Sequence, residues 1–325
     1  MRSDRRRTMA VAAAALLVTG AALAATPLAA RAEYPERPIT LIVPWGPGGS
    51  TDLTGRALAQ AAEKTLGQPI VIVNKPGAAT TLGMTELAGA KPDGYTIGTL
   101  SSTTYMHPLR GRQVGYDPLK SFAYISYYGD NLIGVAVLAD SKWKTLKDLI
   151  ADGKGSPGKI KYGNAGVGTT QHLTTEKIQL DSGAKFTFVP QKGSAEAVAA
   201  LLGGHLDFIT EVSVWAPHVE AGKVRLLAVT TPKRSEGFPA VPTVFELGFE
   251  SLRSVQAIIG PTGIPEPIRA KLEGAFRQAL TDPGFVAVMK KLRMVIVDGS
   301  GEYARKAVET EIGRAKTLID TLGIK

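Results

Sequence analysis

The chain has 325 residues, of which 44% are hydrophobic and 21% charged, as in a soluble globular protein. It contains no cysteine, which excludes disulfides, thiolate catalysis and cysteine metal sites. The histidines show no metal-ligand spacing, so the sequence predicts neither a metal nor a cofactor. The length suffices for two lobes of roughly 100–200 residues each.

Residues 1–32 have the three-part layout of a secretory signal peptide. An arginine cluster, Arg5–Arg7, precedes an apolar run, Met9–Ala25, and the small-residue cleavage pattern Ala30–Ala32 follows. A membrane anchor is the alternative, but the run is Ala-rich and short for a span of about 20 residues. We therefore expect a cleaved signal and a periplasmic protein. Arg5–Arg7 leaves the twin-arginine route open beside the general secretory route, which we favour.

The charge of the remaining chain is mildly basic. Residues 1–32 carry five Arg and one Asp, a charge of +4, so about +5 of the formal +9 remains. No Lys/Arg-rich run is interleaved with aromatic residues, and nucleic-acid binding is not predicted. A modest positive field can steer anions towards a cleft, although solvated surface charge is the simpler interpretation.

Short β-branched runs alternate with helical spacing in the first part of the chain, which predicts an α/β sheet with mostly parallel strands. The predicted strands are Ile39–Trp45, Ile70–Val73 and Tyr95–Leu100, and the predicted helices are Leu53–Leu66 and Thr81–Ala90.

The same alternation resumes in the middle of the chain. The predicted strands are Ile133–Leu138, Ile160–Tyr162, Phe186–Val189, Leu206–Thr210, Arg225–Val229 and Val255–Gly260; the predicted helices are Thr145–Ala151, Thr170–Leu180, Ser194–Leu202, Val214–Ala221, Glu266–Leu280, Pro283–Leu292 and Gly301–Leu322. Two α/β blocks without a linker indicate two lobes. We expect lobe I at 33–130 and 252–325 and lobe II at 131–251, with crossings near Ala123–Leu138 and Leu252–Gly260.

The first candidate site is the loop between the first strand and the first helix. Gly48 and Gly49 can form a concave turn, and Ser50, Thr51 or Asp52 can cap the helix. Free N–H groups and the helix dipole then make an anion pocket at a strand carboxyl end, where α/β sheets bind ligands. A plain capped turn is the alternative.

The second candidate site is the loop Asn164–His172, which also joins a strand to a helix. The loop contains Gly166 and Gly168, but it lacks the third glycine of a dinucleotide-binding fingerprint. Thr169 or Thr170 can cap the helix, which places His172 in its first turn. A lone histidine in this position is more often structural than functional.

Two further polar positions end strands. Ser101 and Thr103 follow the third strand and offer hydroxyl groups, with a polar loop as the alternative. Glu211 ends a later strand, where a carboxylate would disfavour anions, bind a cationic group or simply be solvated. We find no Gly-x-Ser-x-Gly elbow, and an enzyme is not predicted.

In the order of its short motifs, the chain resembles the Bug (Bordetella uptake gene) family, the extracytoplasmic receptors of tripartite tricarboxylate transporters. The resemblance runs from about Tyr34 to the C-terminus. The matching segments are Tyr34–Pro38, Val43–Asp52, Asn74–Ala78, Lys91–Tyr95, Tyr116–Leu119, Asn164–His172, Val189–Gly193, Leu201–Gly204, Ala221–Arg225 and Val241–Val244.

The resemblance implies a two-lobe periplasmic binding protein fold of the type II kind, with the ligand cleft between the lobes. It implies capture of a small carboxylate: a dicarboxylate, tricarboxylate, acidic amino acid or aromatic acid. It also implies membrane subunits of a tripartite tricarboxylate transporter as partners. By position, the ligand-binding residues are Gly48, Gly49, Ser50, Thr51, Asp52, Ser101, Thr103, Gly166, Gly168, Thr169, Thr170 and His172.

The sequence departs from the family pattern at three positions. Gln191 stands where an aromatic residue is common, Thr210 replaces a frequent Phe, and Trp45 replaces Phe. Fewer aromatic side chains near the second lobe favour a more polar ligand. We include Trp45, Gln191 and Glu211 among the expected ligand-binding residues.

Transport leaves one open alternative, a sensor role. The same closed lobes would then present a surface to a membrane signalling partner such as a sensor kinase. The sequence does not separate the two, because both use the same cleft.

Overall fold

The computed structural model describes residues 33–323; the predicted signal peptide, 1–32, lies outside them. Residues 33–36 contain no helix or strand and belong to a separate unit, whereas the chain from residue 37 onwards is one unit. Among residues 33–323, no helix combines the length and the apolar composition needed to cross a membrane.

Six strands form a mixed sheet, here called sheet I. Its strands are β1 (Ile39–Val43), β2 (Ile70–Asn74), β3 (Thr96–Thr99), β4 (Phe122–Asp130), β10 (Val255–Pro261) and β11 (Ile296–Ser300), in the order β11-β4-β10-β3-β1-β2. β1 pairs in parallel with both β2 and β3, and β10 is antiparallel to β3 and β4. The carboxyl ends of β1, β2 and β3 therefore meet at one edge.

Six helices accompany sheet I. They are α1 (Ser50–Leu66), α2 (Thr81–Ala88), α3 (Thr103–Leu109), α8 (Glu266–Ala279), α9 (Pro283–Lys291) and α10 (Gly301–Leu322). α10 buries Ala304, Val308 and Leu318 in a cluster with Tyr127 of β4 and Ile259 of β10. This packing covers one face of the sheet with apolar residues at helical spacing.

Five strands form sheet II. They are β5 (Ile133–Leu138), β6 (Ile160–Asn164), β7 (Phe186–Pro190), β8 (Phe208–Val212) and β9 (Val224–Val229), in the order β7-β6-β8-β5-β9. β6 is parallel to β7 and β8, and β5 is antiparallel to β8 and β9. The helices are α4 (Leu146–Gly155), α5 (Thr170–Ser182), α6 (Ser194–Leu202) and α7 (Ala216–Glu220).

Sheet II is buried on both faces. Along β5, Val135 and Val137 enter one apolar cluster, while Ala136 between them enters another with Leu201 and Trp215. Successive strand side chains point to opposite faces, so the continuous apolar run of β5 is that of a strand covered on two sides.

The chain passes from sheet I to sheet II between β4 and β5 and returns between β9 and β10. Asn131 stands at the first crossing and Ser254 at the second. Asn131 N–H donates to the Ser254 carbonyl at 2.9 Å, and its Nδ2 donates to Ser254 Oγ at 3.1 Å. The two crossings are therefore held side by side.

Each helix and strand predicted from the alternation is present, with ends shifted by a few residues. Three elements were missed. β4 was expected only as part of a crossing near Ala123–Leu138 and not as a strand of its own. α3 was interpreted as a polar loop, because it opens with hydroxyl residues and contains Pro108. β11 was overlooked because it is half-buried and contains Asp298 and Gly299, which leaves no apolar run.

Candidate functional site

The loop between β1 and α1 is held in shape by the Asp52 carboxylate. Asp52 accepts hydrogen bonds from Gly48 N–H at 2.9 Å, from Asn74 Nδ2 at 2.8 Å and from Arg56 Nε at 3.0 Å. Gly48 has φ +84°, a left-handed conformation that favours glycine. Asn74 also donates to the Trp45 carbonyl at 2.9 Å, so β2 fixes the loop from its other side.

The electrostatics of Asp52 follow from the same contacts. Burial by itself would raise the pKa of Asp52. The hydrogen bonds from Arg56, Gly48 and Asn74, with the positive charge of Arg56, outweigh burial and lower the pKa below its usual value of 3.8. Asp52 is therefore an ionised anchor of the loop.

α1 begins at Ser50, earlier than the predicted Leu53, and its N-terminus has no side-chain cap. The prediction that Ser50, Thr51 or Asp52 caps the helix was wrong, because extended Gly49 occupies the N-cap position and Asp52 turns back to Gly48. The first N–H groups of a helix have no intrahelical acceptor. Those of Ser50 and Thr51 are consequently available to a ligand.

The loop between β6 and α5 repeats the arrangement on sheet II, with a cap. Thr169 is the N-cap residue and accepts a hydrogen bond from His172 N–H at 3.1 Å, as predicted. Its hydroxyl donates to the Gly166 carbonyl at 2.9 Å. Gly166 and Gly168 have φ +130° and +79°, so the turn requires both glycines.

The two loops meet at a cavity of about 130 Å³. Six of the residues expected to bind a ligand line it: Trp45, Gly49, Ser50, Thr51, Ser101 and Thr169. Trp45 Nε1 donates to Ser101 Oγ at 3.1 Å, which ties the loop after β1 to the loop after β3. Thr51 is only 6% exposed, and its hydroxyl has no hydrogen-bond partner among residues 33–323.

Sequence reasoning missed a third helix N-terminus at the cavity, that of α6. Its first turn and the residues before it line the wall, from Lys192 to Glu196, and Gly193 is an N-cap without a side-chain hydrogen bond. The signal was available, because Gly193-Ser194 follows β7 as Gly49-Ser50 follows β1. The other missed lining residues are Gly46, Pro47, Ser102, Asn131, Ala165, Gln171, Val212 and Ser254.

The remaining expected residues lie behind the lining or beside it. Thr103 shares hydrogen bonds with Ser101 at 3.0 Å and Thr80 at 2.7 Å. Gln191 donates from Nε2 to the Val189 carbonyl at 3.1 Å. The residues outside the lining are Gly48, Asp52, Thr103, Gly166, Gly168, Thr170, His172, Gln191 and Glu211.

The two sides of the cavity touch directly. Thr170 Oγ1 on the sheet II side donates to Ser102 Oγ on the sheet I side at 3.0 Å. A Cβ atom on Gly48 would lie 3.7 Å from Ala195 Cβ, and one on Gly168 would collide with the Arg110 guanidinium. The glycines thus allow close approach of the two halves, and the structure is closed around the cavity.

His172 is in the first turn of α5, as predicted, and is a packed, neutral side chain. Its ring lies 4.6 Å from Phe188, centroid to centroid, and Nδ1 faces Gly168 N–H at 3.5 Å. Burial, followed by the charge of Arg110, lowers the pKa of His172 to about 4, although Glu176 lies 3.8 Å from Nε2. Burial dominates because His172 is only 7% exposed.

Glu211 is fully buried, so the interpretation of a solvated carboxylate was wrong. Its oxygens accept hydrogen bonds from Ala165 N–H at 2.8 Å, Val212 N–H at 2.7 Å and Gln171 Nε2 at 2.8 Å. Burial raises the pKa of Glu211 against the opposing effect of these hydrogen bonds and of one from Ser194. Among residues 33–323, no group of three or more His, Asp or Glu is placed to hold a metal ion.

Comparison with known proteins places the chain in one family. Residues 54–324 match the tripartite tricarboxylate transporter family receptor, TctC. A Cupriavidus necator relative, the UPF0065 protein in the gbd 5′ region, is 39% identical over 324 residues, which cover 99% of this chain and 98% of the relative.

Solved structures agree with this assignment. Periplasmic binding protein BugD is 31% identical with a TM-score of 0.85, covering 90% of this chain and 99% of that chain. An R. palustris protein solved with adipate is 29% identical with a TM-score of 0.85, at 90% and 99% coverage. MatC from Rhodopseudomonas palustris, with bound malate, is 27% identical with a TM-score of 0.82, at 88% and 100% coverage.

Two α/β lobes closed on a cavity define a periplasmic solute-binding protein rather than an enzyme. The chain belongs to the Bug family of receptors for tripartite tricarboxylate transporters, as the resemblance predicted.

Proposed function

We propose that this receptor captures a small carboxylate in the cavity between its lobes and delivers it to the membrane subunits of a tripartite tricarboxylate transporter. One carboxylate group is held by the N-terminal N–H groups of α1, with the N-termini of α5 and α6 closing on it from the other lobe. Receptor and transporter meet in the periplasm, after removal of the predicted signal peptide, 1–32.

The observation that carries the proposal is the uncapped N-terminus of α1 at the cavity. Ser50 and Thr51 line the cavity, and no side chain caps their helix. Helix N-termini attract anions through unpaired N–H groups and the positive end of the dipole. Each hydrogen bond to a charged group contributes about 1.5–3 kcal/mol.

The polarity of the lining supports a small and polar ligand. Hydroxyl and amide groups of Ser50, Ser101, Asn131, Gln171 and Ser254 surround the cavity. Within residues 33–323, Trp45 is the one aromatic residue of the lining. Relatives of similar fold were solved with adipate and with malate, both of which are dicarboxylates.

We further propose that the lobes follow the expected boundaries, with 33–130 and 252–325 in lobe I and 131–251 in lobe II. In support, all strands of sheet I and all strands of sheet II fall within these respective ranges. Asn131 and Ser254, which are bonded to each other, then form the hinge. The sensor alternative has no specific observation in its favour.

A carboxylate binding screen tests the proposed function. We expect one or a few acids, from a panel with citrate, succinate, adipate, glutamate and nicotinate, to raise the melting temperature of ligand-stripped protein by mass action. The matching amides should have no effect. A panel in which no acid binds, or in which amides bind equally well, would contradict the proposal.

A pair of variants tests the role of the α1 N–H groups. Ser50 is the first helical residue, where proline is tolerated and removes only the N–H group; extended Gly49 before it is compatible with proline. Ser50→Pro should bind the acid at least about tenfold more weakly than Ser50→Ala. Ser50→Ala is the matched control, because both variants lose the hydroxyl bond to Asn131. Equal affinities in calorimetry would exclude the N–H contact.

A further inference from the structure

A single buried carboxylate organises the lobe II wall of the cavity. Glu211 accepts hydrogen bonds from Ala165 N–H, Val212 N–H and Gln171 Nε2. All three of these donors belong to residues that line the cavity, whereas Glu211 does not. Glu211 therefore acts on a ligand only through its neighbours.

Glu211 determines which end of the Gln171 amide meets the ligand. Both carboxylate oxygens already accept backbone N–H groups, Oε2 from Ala165 and Oε1 from Val212, so the Oε1 atom that faces Gln171 acts as an acceptor. Gln171 must then turn its NH₂ group to Glu211, at 2.8 Å. The carbonyl oxygen Oε1 is left on the opposite side.

Oε1 of Gln171 is a hydrogen-bond acceptor to which no group of the described chain donates. Gln171 is only 6% exposed and lines the cavity, and Oε1 has no partner among residues 33–323. It is also not among the atoms sealed off from open space. An acceptor left unpaired against a bound ligand costs free energy, so a ligand that donates there is favoured.

The cavity is consequently polarised between its two sides. The α1 terminus on lobe I offers N–H donors at Ser50 and Thr51, which suit a carboxylate. Gln171 on lobe II offers an acceptor, which repels a carboxylate or carbonyl oxygen and suits an O–H or N–H group. A ligand that satisfies both sides carries a carboxylate and a nearby donor.

We propose that Gln171, oriented by Glu211, is the specificity-determining residue of this receptor, and that its ligand is a hydroxy- or amino-substituted carboxylate rather than the unsubstituted acid. The inference rests on the proposed function and narrows its ligand class. Glu211 is a positioning residue.

Matched acids that differ only at the carbon next to one carboxylate test the inference. The probes are succinate, malate and aspartate, and glutarate, 2-hydroxyglutarate, glutamate and 2-oxoglutarate, as single enantiomers where chiral. Calorimetry on ligand-stripped protein should show a hydroxy or amino acid binding at least about tenfold more tightly than its parent. The oxo acid, which has only an acceptor, should bind no better than glutarate. Comparison of the hydroxy acids with the amino acids shows whether the ligand donates from an O–H or an N–H group.

Two variants on α5 separate recognition from folding. Gln171→Met removes the acceptor. The affinities for the substituted acid and for its parent acid should then differ by no more than about threefold. Gln179→Met is the matched control: Gln179 is 8% exposed on the same helix, bonds to Glu176 and Phe186, and lies outside the cavity lining. It should retain the preference.

Glu211→Gln tests the positioning role by the order of ligands, which loss of stability alone would not change. A glutamine at 211 can donate to Gln171 Oε1, so the amide of Gln171 can turn and offer NH₂ to the cavity. The preference should then shift from 2-hydroxyglutarate or glutamate towards 2-oxoglutarate. An unchanged ligand order would exclude the orienting role.

The failures are distinguishable. If a parent acid binds as tightly as its best substituted partner, or if none of these probes binds while adipate or nicotinate does, the inference is wrong and the proposed function stands. If no carboxylate of either panel binds, the proposed function itself fails. Retention of the preference by Gln171→Met would also overturn the assignment.

Discussion

At the scale of single residues, two similar side chains of this receptor have different roles because their neighbours differ. Asp52 and Glu211 are both buried carboxylates behind the cavity lining. Arg56 neutralises Asp52, which stabilises a loop of lobe I. The hydrogen bonds that Glu211 accepts within lobe II come from uncharged donors. Through these bonds it orders the wall of the cavity.

Thr51→Val tests the hydroxyl group of a residue that lines the cavity. The substitution preserves shape but removes a hydroxyl with no partner in the described chain. We expect the affinity for the carboxylate to fall about tenfold, while the free energy of unfolding changes by no more than about 0.5 kcal/mol. Calorimetry and denaturant unfolding measure the two. An unchanged affinity would place the ligand away from Thr51.

His172 predicts a pH dependence of stability. The pKa of His172 is about 4 in the folded protein, against the usual value of 6.5 for an exposed histidine. As the pH falls from 6.5 towards 4, the unfolded chain therefore binds a proton at this residue and the folded protein does not. Stability from neutral His172 is present above pH 6.5 and is lost as the pH falls towards about 4. Between about pH 7 and pH 4.5 the loss is about 2.5 kcal/mol.

His172→Asn measures this contribution. Asparagine retains an acceptor for Gly168 N–H but does not titrate. Denaturant unfolding at both pH values should show a smaller loss for the variant than for the unchanged protein, by about 2 kcal/mol. Equal losses would show that His172 is protonated or exposed in the folded state.

At the scale of elements, the recurring unit of the site is a strand, a glycine-bearing turn and a helix whose N-terminus points at the cavity. It occurs at α1, α5 and α6. α1 and α6 face each other, because a Cβ atom on Gly49 would lie 3.8 Å from Ser194 Oγ. The close approach of these helix ends depends on small residues on both sides.

Ala195→Trp tests whether this approach is needed. The side chain at 195 lies against Gly48 of the opposite lobe, and a large group there should hold the lobes apart. We expect at least about tenfold weaker binding, because the closed state becomes a minor population. X-ray scattering should show a larger radius of gyration with ligand. Ala199→Trp, at an exposed position one turn along the same helix and outside the cavity lining, is the control and should close normally.

The alternation of strands and helices could be predicted from the sequence because apolar periodicity and glycine turns are local signals. The loops at Gly48–Asp52 and Gly166–His172 were identified for the same reason. Asn131 and Ser254 were not identified, and neither was the role of Gln171 within the second loop, because these roles arise when distant segments meet. Nothing local marks Glu211 as buried either, because two of its three hydrogen-bond donors, Ala165 N–H and Gln171 Nε2, come from a segment about 40 residues earlier in the chain.

At the scale of the whole molecule, the proposed binding site lies where segments of both sheets meet. Asn131 and Ser254 join the crossings and line the cavity, and Ser50 Oγ donates to Asn131 Oδ1 at 2.7 Å. The hinge therefore contacts the helix end that we propose for the ligand carboxylate. In the proposed function, this connection would link ligand capture to lobe closure, and the closed form would be the one that meets the transporter.

The position of the ligand carboxylate can be seen in a crystal structure of the protein saturated with its tightest-binding acid. We expect a carboxylate in the cavity with an oxygen about 3 Å from the N–H groups of Ser50 or Thr51, and the lobes closed as described. Electron density for the ligand outside this cavity, or a ligand whose carboxylate points away from the α1 terminus, would contradict it.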